Sequence, residues 1–190
     1  EDIIGVRGPF GNGYEIVKAS NAMIVGGGTG LASLVPLAER LVENKVKITF
    51  LMGAKSRRDL LFLNRVNQLF SGSSGRVIAA TDDGSYGLKG LVTEPTEKML
   101  GQGEKFDLIY ACGPEPMMHK MFLLSEKFNV SLQVSLERFM RCAIGICGTC
   151  VIGKYRVCQD GPIFASKKLS DAKEEFGHWR KALDGRKATI

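Results

Sequence analysis

Hydrophobic positions along this chain fall into short continuous runs, separated by glycine-rich breaks and by stretches of helical period. Residues 22–25 (AMIV) form an apolar run. Four glycines in five positions follow, and then a segment over 31–44 whose apolar residues recur three and four apart. This pattern predicts a buried strand, a tight turn and an amphipathic helix. It repeats, with strands predicted over 46–52, 76–80, 106–111 and 130–134 and helices over 59–70 and 117–128. Strands alternating with helices imply an α/β fold, a parallel Rossmann-like sheet covered on both faces that receives ligands at the carboxyl ends of its strands. Pro36 removes a donor inside the first helix and predicts a kink or a loosened turn there.

The strand-end loops are GGGTG over 26–30, GAKSRR over 53–58, TDDGSYG over 81–87 and CGPEPM over 112–117. In the first, Gly26, Gly27, Gly28, Thr29 and Gly30 stand immediately before a helix. Its free N–H groups and positive dipole end favour a pyrophosphate, and glycine lets the backbone come close to one. Tight turns also need glycine for steric reasons alone, which accounts for part of the signal.

The chemistry is concentrated further on. Four of the five cysteines, Cys142, Cys147, Cys150 and Cys158, fall in CAIGICGTCVIGKYRVC with spacing C-x4-C-x2-C-x7-C. This is the opening rhythm of plant-type 2Fe-2S ferredoxins, in a loop small enough to curl around a cluster and aim N–H groups at its sulfurs. Structural zinc is the alternative, but zinc sites usually pair two C-x2-C knuckles, and only one occurs here. A disulfide pair would need an oxidising compartment, which no secretory signal supports. The module follows the last predicted strand with no linker, as a fixed electron-transfer distance requires.

Composition narrows the rest. A chain of 190 residues, 44% hydrophobic and 24% charged, can build one core and an appended module. The net charge of +6 is spread among interleaved acids without a dense basic block, so no nucleic-acid partner is expected. The apolar runs are too short to span a bilayer, so no membrane is expected and the cytoplasm is the default location. The chain begins at Glu1 without an initiator methionine, which suggests a processed or incomplete product. Residues 2–16 hold two short apolar runs around a Gly/Pro/Asn cluster, too few strands to stand alone. In 172–183, Phe176, Trp179 and Leu183 recur at helical spacing and predict a surface helix. His119 and His178 lie in no motif and read as ordinary surface or helix residues.

Together, GGGTGLASL, TDDGSYGLKG, ACGPEPMM, VSLERFMRCAIGICGTC and YRVCQDGPIF closely resemble the electron-transfer subunits of class B, NAD-dependent dihydroorotate dehydrogenases, in the ferredoxin-NADP reductase superfamily. The resemblance covers residues 6–164. It implies that the four module cysteines are the cluster ligands and that Cys112, Gly113 and Pro114 lie near the nicotinamide. It also implies FAD, which divides the two electrons of a hydride for a one-electron cluster, and a separate FMN-containing catalytic subunit joined in a heterotetramer. Dihydroorotate oxidation then belongs to that partner in pyrimidine synthesis, and no catalytic residue is assigned in this chain.

The implied division is a remnant of the FAD barrel over 1–18, an NAD-binding domain over 19–135, a cluster module over 136–165 and a helical tail over 166–190. The family's Arg-containing strand motif and downstream Gly-Thr pair have no counterpart here, since only 5–13 matches the barrel's final segment. The expectation is that the chain alone does not hold FAD tightly. Ser33 stands where the family often has proline. Lys55, Ser56, Arg57 and Arg58 precede any acid after the second strand, a pattern that tolerates the 2′-phosphate of NADP, whereas the resemblance points to NAD. Other readings are a reductase subunit of a hydrogenase, a sulfur or sulfite reductase or a ferredoxin-NADP transhydrogenase, and, from a different class, a non-catalytic redox or nucleotide sensor.

Overall fold

A computed structural model of the chain describes residues 5, 7–16, 19–71 and 75–190. Much of the first apolar run of 2–16 therefore lies outside the described residues. The elements in order are β1 (Asn21–Gly27), α1 (Leu31–Glu43), β2 (Lys47–Ala54), α2 (Leu63–Phe70), β3 (Arg76–Thr81), β4 (Leu88–Lys89) and α3 (Thr93–Gly101). There follow β5 (Leu108–Cys112), α4 (Glu115–Phe128), β6 (Ser131–Ser135), β7 (Val151–Ile152), β8 (Tyr155–Arg156), α5 (Val157–Asp160), β9 (Ile163–Ala165), α6 (Ser166–Asp171), β10 (Trp179–Lys181) and β11 (Lys187–Thr189).

Seven strands make one sheet in the order β4-β3-β2-β1-β5-β6-β9, parallel throughout except for β9, which runs antiparallel to β6. The central strands are continuous apolar runs because both their faces are covered. Along β1, Ala22 and Ile24 point into a core shared with α1 and α2. Met23 and Val25 point into the opposite core, with Met99 of α3 and Met118 and Met121 of α4. That second core also takes in Cys150, Ile152, Val157, Cys158 and Phe164. The cysteine module thus packs into the sheet's own interior, and β9 fastens its end to the sheet edge by pairing Phe164 with Val134.

Several local expectations change. Helix α1 runs through Pro36 unbroken because Pro36 lies on the solvent side, where water can satisfy the carbonyl left without a partner. The helix expected over 59–70 begins only at Leu63, after a 3-10 turn at Arg57–Asp59 and a left-handed Phe62 at φ 62°. Elements β4 and α3 fall where the pattern predicts none. Helix α3 is short and buries two threonines, Thr93 and Thr96, which read as polar in sequence.

The helix expected over 172–183 does not form. Gly177 takes φ 81°, which interrupts helical geometry, and the chain continues as the β10–β11 hairpin. Phe176 is buried but Leu183 is 62% exposed, so their spacing marks no common face. The 166–190 tail is therefore a short helix followed by a hairpin.

Candidate functional site

The carboxyl ends of β1 and β5 lie side by side, with Gly26 in register with Cys112. Their turns interlock so tightly that side chains are excluded. A Cβ on Gly30 would sit 2.5 Å from the carbonyl carbon and oxygen of Cys112, and one on Gly113 would sit 2.9 Å from the Gly27 nitrogen. A Cβ on Gly27 would lie 2.8 Å from Pro114 Cδ, and Gly26 is closed by Leu31. Gly28 differs. It takes φ 54°, and a Cβ there would meet nothing within 4 Å. Gly28 and Thr29 both border the crevice at these strand ends.

Two cavities meet at the ridge formed by Gly27, Gly28, Thr29 and Pro114. One, of about 910 Å³, extends toward β2, β3 and α3 and is lined by Lys55, Arg58, Asp59, Leu61, Asp82 and Leu91 among others. The other, of about 460 Å³, extends toward the cysteine module and is lined by Ser33, Cys112, Ser135, Leu136, Glu137 and Arg180 among others. The buried Tyr14 hydroxyl has no hydrogen-bond partner. It lies beside Ser33, Ser135 and Cys112, and burial, then the nearby Cys112, pushes its ionisation well above the ordinary phenol range.

The basic run after β2 divides in space. Arg57 stacks on the Tyr86 ring at 4.8 Å and its backbone N–H donates to Ser85 Oγ at 2.8 Å, whereas Arg58 faces the larger cavity. Asp59 accepts a 2.8 Å hydrogen bond from Ser56 Oγ. The acid that the loop lacks in sequence comes from the neighbouring strand: Asp82, just past β3, lines the same cavity as Arg58. Its position after β3, and not after β2, keeps it out of the β2 loop's sequence.

Sequence reasoning also passed over a buried ion pair. Arg138 Nη1 and Nη2 donate to Glu115 at 2.6 and 2.9 Å, with side-chain exposures of 2% and 7%. The Gly177 N–H donates to Glu115 Oε1 at 3.1 Å. Glu115 of the CGPEPM loop thus ties together the start of α4, the entry to the cysteine module and the stem of the hairpin. His119 and His178 meet edge to face beside this point, ring centroids 5.0 Å apart, and burial of His119 lowers its affinity for a proton.

The cysteines come together in two pairs. The Cys147 N–H donates to Cys142 Sγ at 3.3 Å, and that bond, with one from the Ile144 N–H, lowers the Cys142 thiol pKa. Hydrogen bonds from the Thr149 hydroxyl and N–H bring Cys147 down to about 6. Burial raises Cys158, which lies against Cys150 and also senses Cys142. Cys112 stays apart, at the end of β5.

Among the described residues, no three His, Cys, Asp or Glu side chains converge as ligands of a single metal ion. A two-by-two set of thiols, with N–H groups already directed at sulfur, fits the donor demand of a 2Fe-2S cluster, whose irons each take two thiolates and share two sulfides. The fit to FAD is partial. The smaller cavity offers one wall, but the N-terminal residues described form no barrel strands. Instead they cross to the module, where Asn12 N–H donates to the Gly161 carbonyl at 2.6 Å. No helix is long and apolar enough to cross a membrane among the described residues.

This fold and its strand-end crevice define an oxidoreductase of the NAD-binding class with an iron-sulfur module. Residues 24–121 match the family described as oxidoreductase NAD-binding domain, and residues 137–170 match the iron-sulfur cluster binding domain of dihydroorotate dehydrogenase B. Over 98% of its length the chain is 41% identical to the probable dihydroorotate dehydrogenase B (NAD(+)) electron transfer subunit of Methanocaldococcus jannaschii, covering 70% of that protein. It is 38% identical over 98% of its length to the counterpart in Methanothermobacter thermautotrophicus, covering 67% of it. A solved structure of the NADH-dependent reduced ferredoxin-NADP oxidoreductase aligns over 93% of this chain and 64% of that one, with TM-score 0.76 and 32% identity. The chain belongs to the family of dihydroorotate dehydrogenase B electron transfer subunits.

Proposed function

We propose that this chain carries electrons between NAD and an FMN-containing, dihydroorotate-oxidising subunit in pyrimidine synthesis, in the cytoplasm and within a heterotetramer. In this reading Cys142, Cys147, Cys150 and Cys158 hold the 2Fe-2S cluster. Gly26, Gly27, Gly28, Thr29 and Gly30 receive the pyrophosphate, and Cys112, Gly113 and Pro114 border the nicotinamide. The division into a barrel remnant, an NAD-binding domain and a cluster module belongs to the same proposal. The observation that carries it is the shared core: Cys150 and Cys158 are packed into the interior that also holds β1, β5 and α4. Any group on those sulfurs would keep a fixed distance to the crevice at the strand ends.

When bound, the cluster supplies one-electron transfer and FAD supplies the division of a hydride into single electrons. The chain's residues supply placement. Gly28 opens the turn to a phosphate, the Glu115–Arg138 pair fixes the CGP loop against the module, and Asp82 offers an acceptor for the ribose 2′-hydroxyl of NAD and repels a 2′-phosphate. Asp82, on the same cavity as Arg58, supports NAD despite the basic loop.

The test adds NADH to the cluster-loaded chain with and without FAD and follows the visible absorbance of the cluster. Bleaching is expected only when FAD is supplied. With the FMN-containing subunit also present, dihydroorotate should reduce NAD. Bleaching by NADH in the absence of any flavin would contradict the proposal, as would a complete system that transfers no electrons from dihydroorotate.

A further inference from the structure

The smaller cavity has the glycine turn on one side and, on another, a side chain from a remote part of the chain: Arg180 of β10. In the hairpin Arg180 pairs with Ala188, while Trp179 and Lys181 fall on the opposite face, where Lys187 Nζ lies 4.2 Å from the Trp179 ring centroid. The hairpin is anchored at both ends. Its stem rests on Glu115 through the Gly177 N–H, and Arg141 Nη2, next to Cys142, donates to the Leu183 carbonyl at 2.9 Å. Arg180 is therefore presented by an anchored element.

Its charge is uncommitted. Among the described residues Arg180 has no acidic partner within ion-pair distance, in contrast to Arg40, Arg65, Arg76, Arg138 and Arg186. It is also the cationic residue lining this cavity. Of the two acids there, Glu115 is neutralised by Arg138, and Glu137 at the rim is exposed. A guanidinium that shares a cavity with a glycine turn at the start of a thirteen-residue helix is an arrangement suited to a phosphate, which both can donate to.

We infer that Arg180 is a binding residue for the nicotinamide nucleotide. It pairs with the 5′-phosphate on the nicotinamide side, so the C-terminal hairpin forms part of the nucleotide site. This rests on the reading of the crevice as the NAD site. It assigns the smaller cavity to the nicotinamide mononucleotide half and leaves the adenylate half to the larger one. A positioned arginine–phosphate pair contributes enough to show in affinity, about tenfold in dissociation constant.

Calorimetric titration of the cluster-containing chain with NADH, nicotinamide mononucleotide and AMP tests this, in wild type, Arg180→Ala, Arg180→Lys and Lys181→Ala. Arg180 and Lys181 are both exposed strand residues, so their substitution leaves the core untouched. Arg180→Ala is expected to weaken NADH and the mononucleotide about tenfold and to leave AMP unchanged. Arg180→Lys should recover part of the loss, and Lys181→Ala should change none of the three. If Arg180→Ala matches Lys181→Ala, or weakens AMP as much as the mononucleotide, the inference is overturned while the NAD reading stands. A wild-type chain that binds none of the three overturns both.

Discussion

At the carboxyl ends of β1 and β5 the backbone is held by other backbone, and at the cysteine loop it is held by much less. Gly30 lies against Cys112, Gly113 against Gly27 and Gly27 against Pro114, each at a separation that admits no side chain. Over 142–150 no strand forms, Ala143 takes φ 61°, and the isoleucines Ile144 and Ile146 stand 62% and 78% exposed. The bonds that shape this loop run largely to sulfur and side chains, among them Cys147 N–H to Cys142 Sγ and Gln159 Nε2 to the Ile144 carbonyl. A crevice whose ligand comes and goes must keep its shape unaided. A loop whose ligand stays can take its order from iron–sulfur bonds, because metal binding and local folding are coupled.

The largest effect should come from the contact that joins the two regions. Arg138→Ala leaves the Glu115 carboxylate buried without its partner, and about 3–5 kcal/mol of stability should be lost. Thermal unfolding of the variant would read this as a large fall in Tm. A shift of a degree or two would mean that the pair does not hold the module to the sheet.

Gly30→Ala breaks one side only. The methyl group would force the two turns apart, costing about 1–3 kcal/mol, and NADH binding should vanish while the visible spectrum of the cluster is unchanged. Loss of the cluster in this variant would show that the regions are not independent.

These asymmetries also decide what could be read in the sequence. The central strands are legible because burial on both faces writes an apolar run, as at 22–25, and the cysteines are legible because four of them fall within seventeen positions. Glu115 and Arg138 lie 23 residues apart and meet only through the fold. Asp82 reaches the cavity beside Arg58 because β3 happens to adjoin β2. The tail misleads because Phe176 and Leu183 share a period but not an environment, and Gly177, the residue that breaks the helix, carries the only local warning.

A smaller effect sharpens the crevice side. Asp82→Asn should narrow the preference for NAD over NADP by about tenfold, with Arg58 free to pair with the 2′-phosphate. Calorimetry with both nucleotides measures this, and an unchanged ratio would remove Asp82 from the specificity argument.

The smallest concerns the loop's own chemistry. In the cluster-free chain, Thr149 holds the Cys147 thiol down to about 6, whereas burial pushes Cys158 up. Cys147 should therefore ionise at lower pH than Cys158. Mass-mapped alkylation of Cys147 should fall as pH drops through about 6. Thr149→Val removes a donor to the thiolate and should move that midpoint upward, while an unchanged profile would show that Thr149 does not stabilise it.

The central claim, that the four module cysteines hold a two-iron cluster against the nucleotide crevice, is tested most directly by iron and acid-labile sulfide analysis of anaerobically purified protein. About two irons and two sulfides per chain are expected, lost on Cys150→Ser and retained on Cys112→Ser. Stoichiometric zinc without labile sulfide would contradict it.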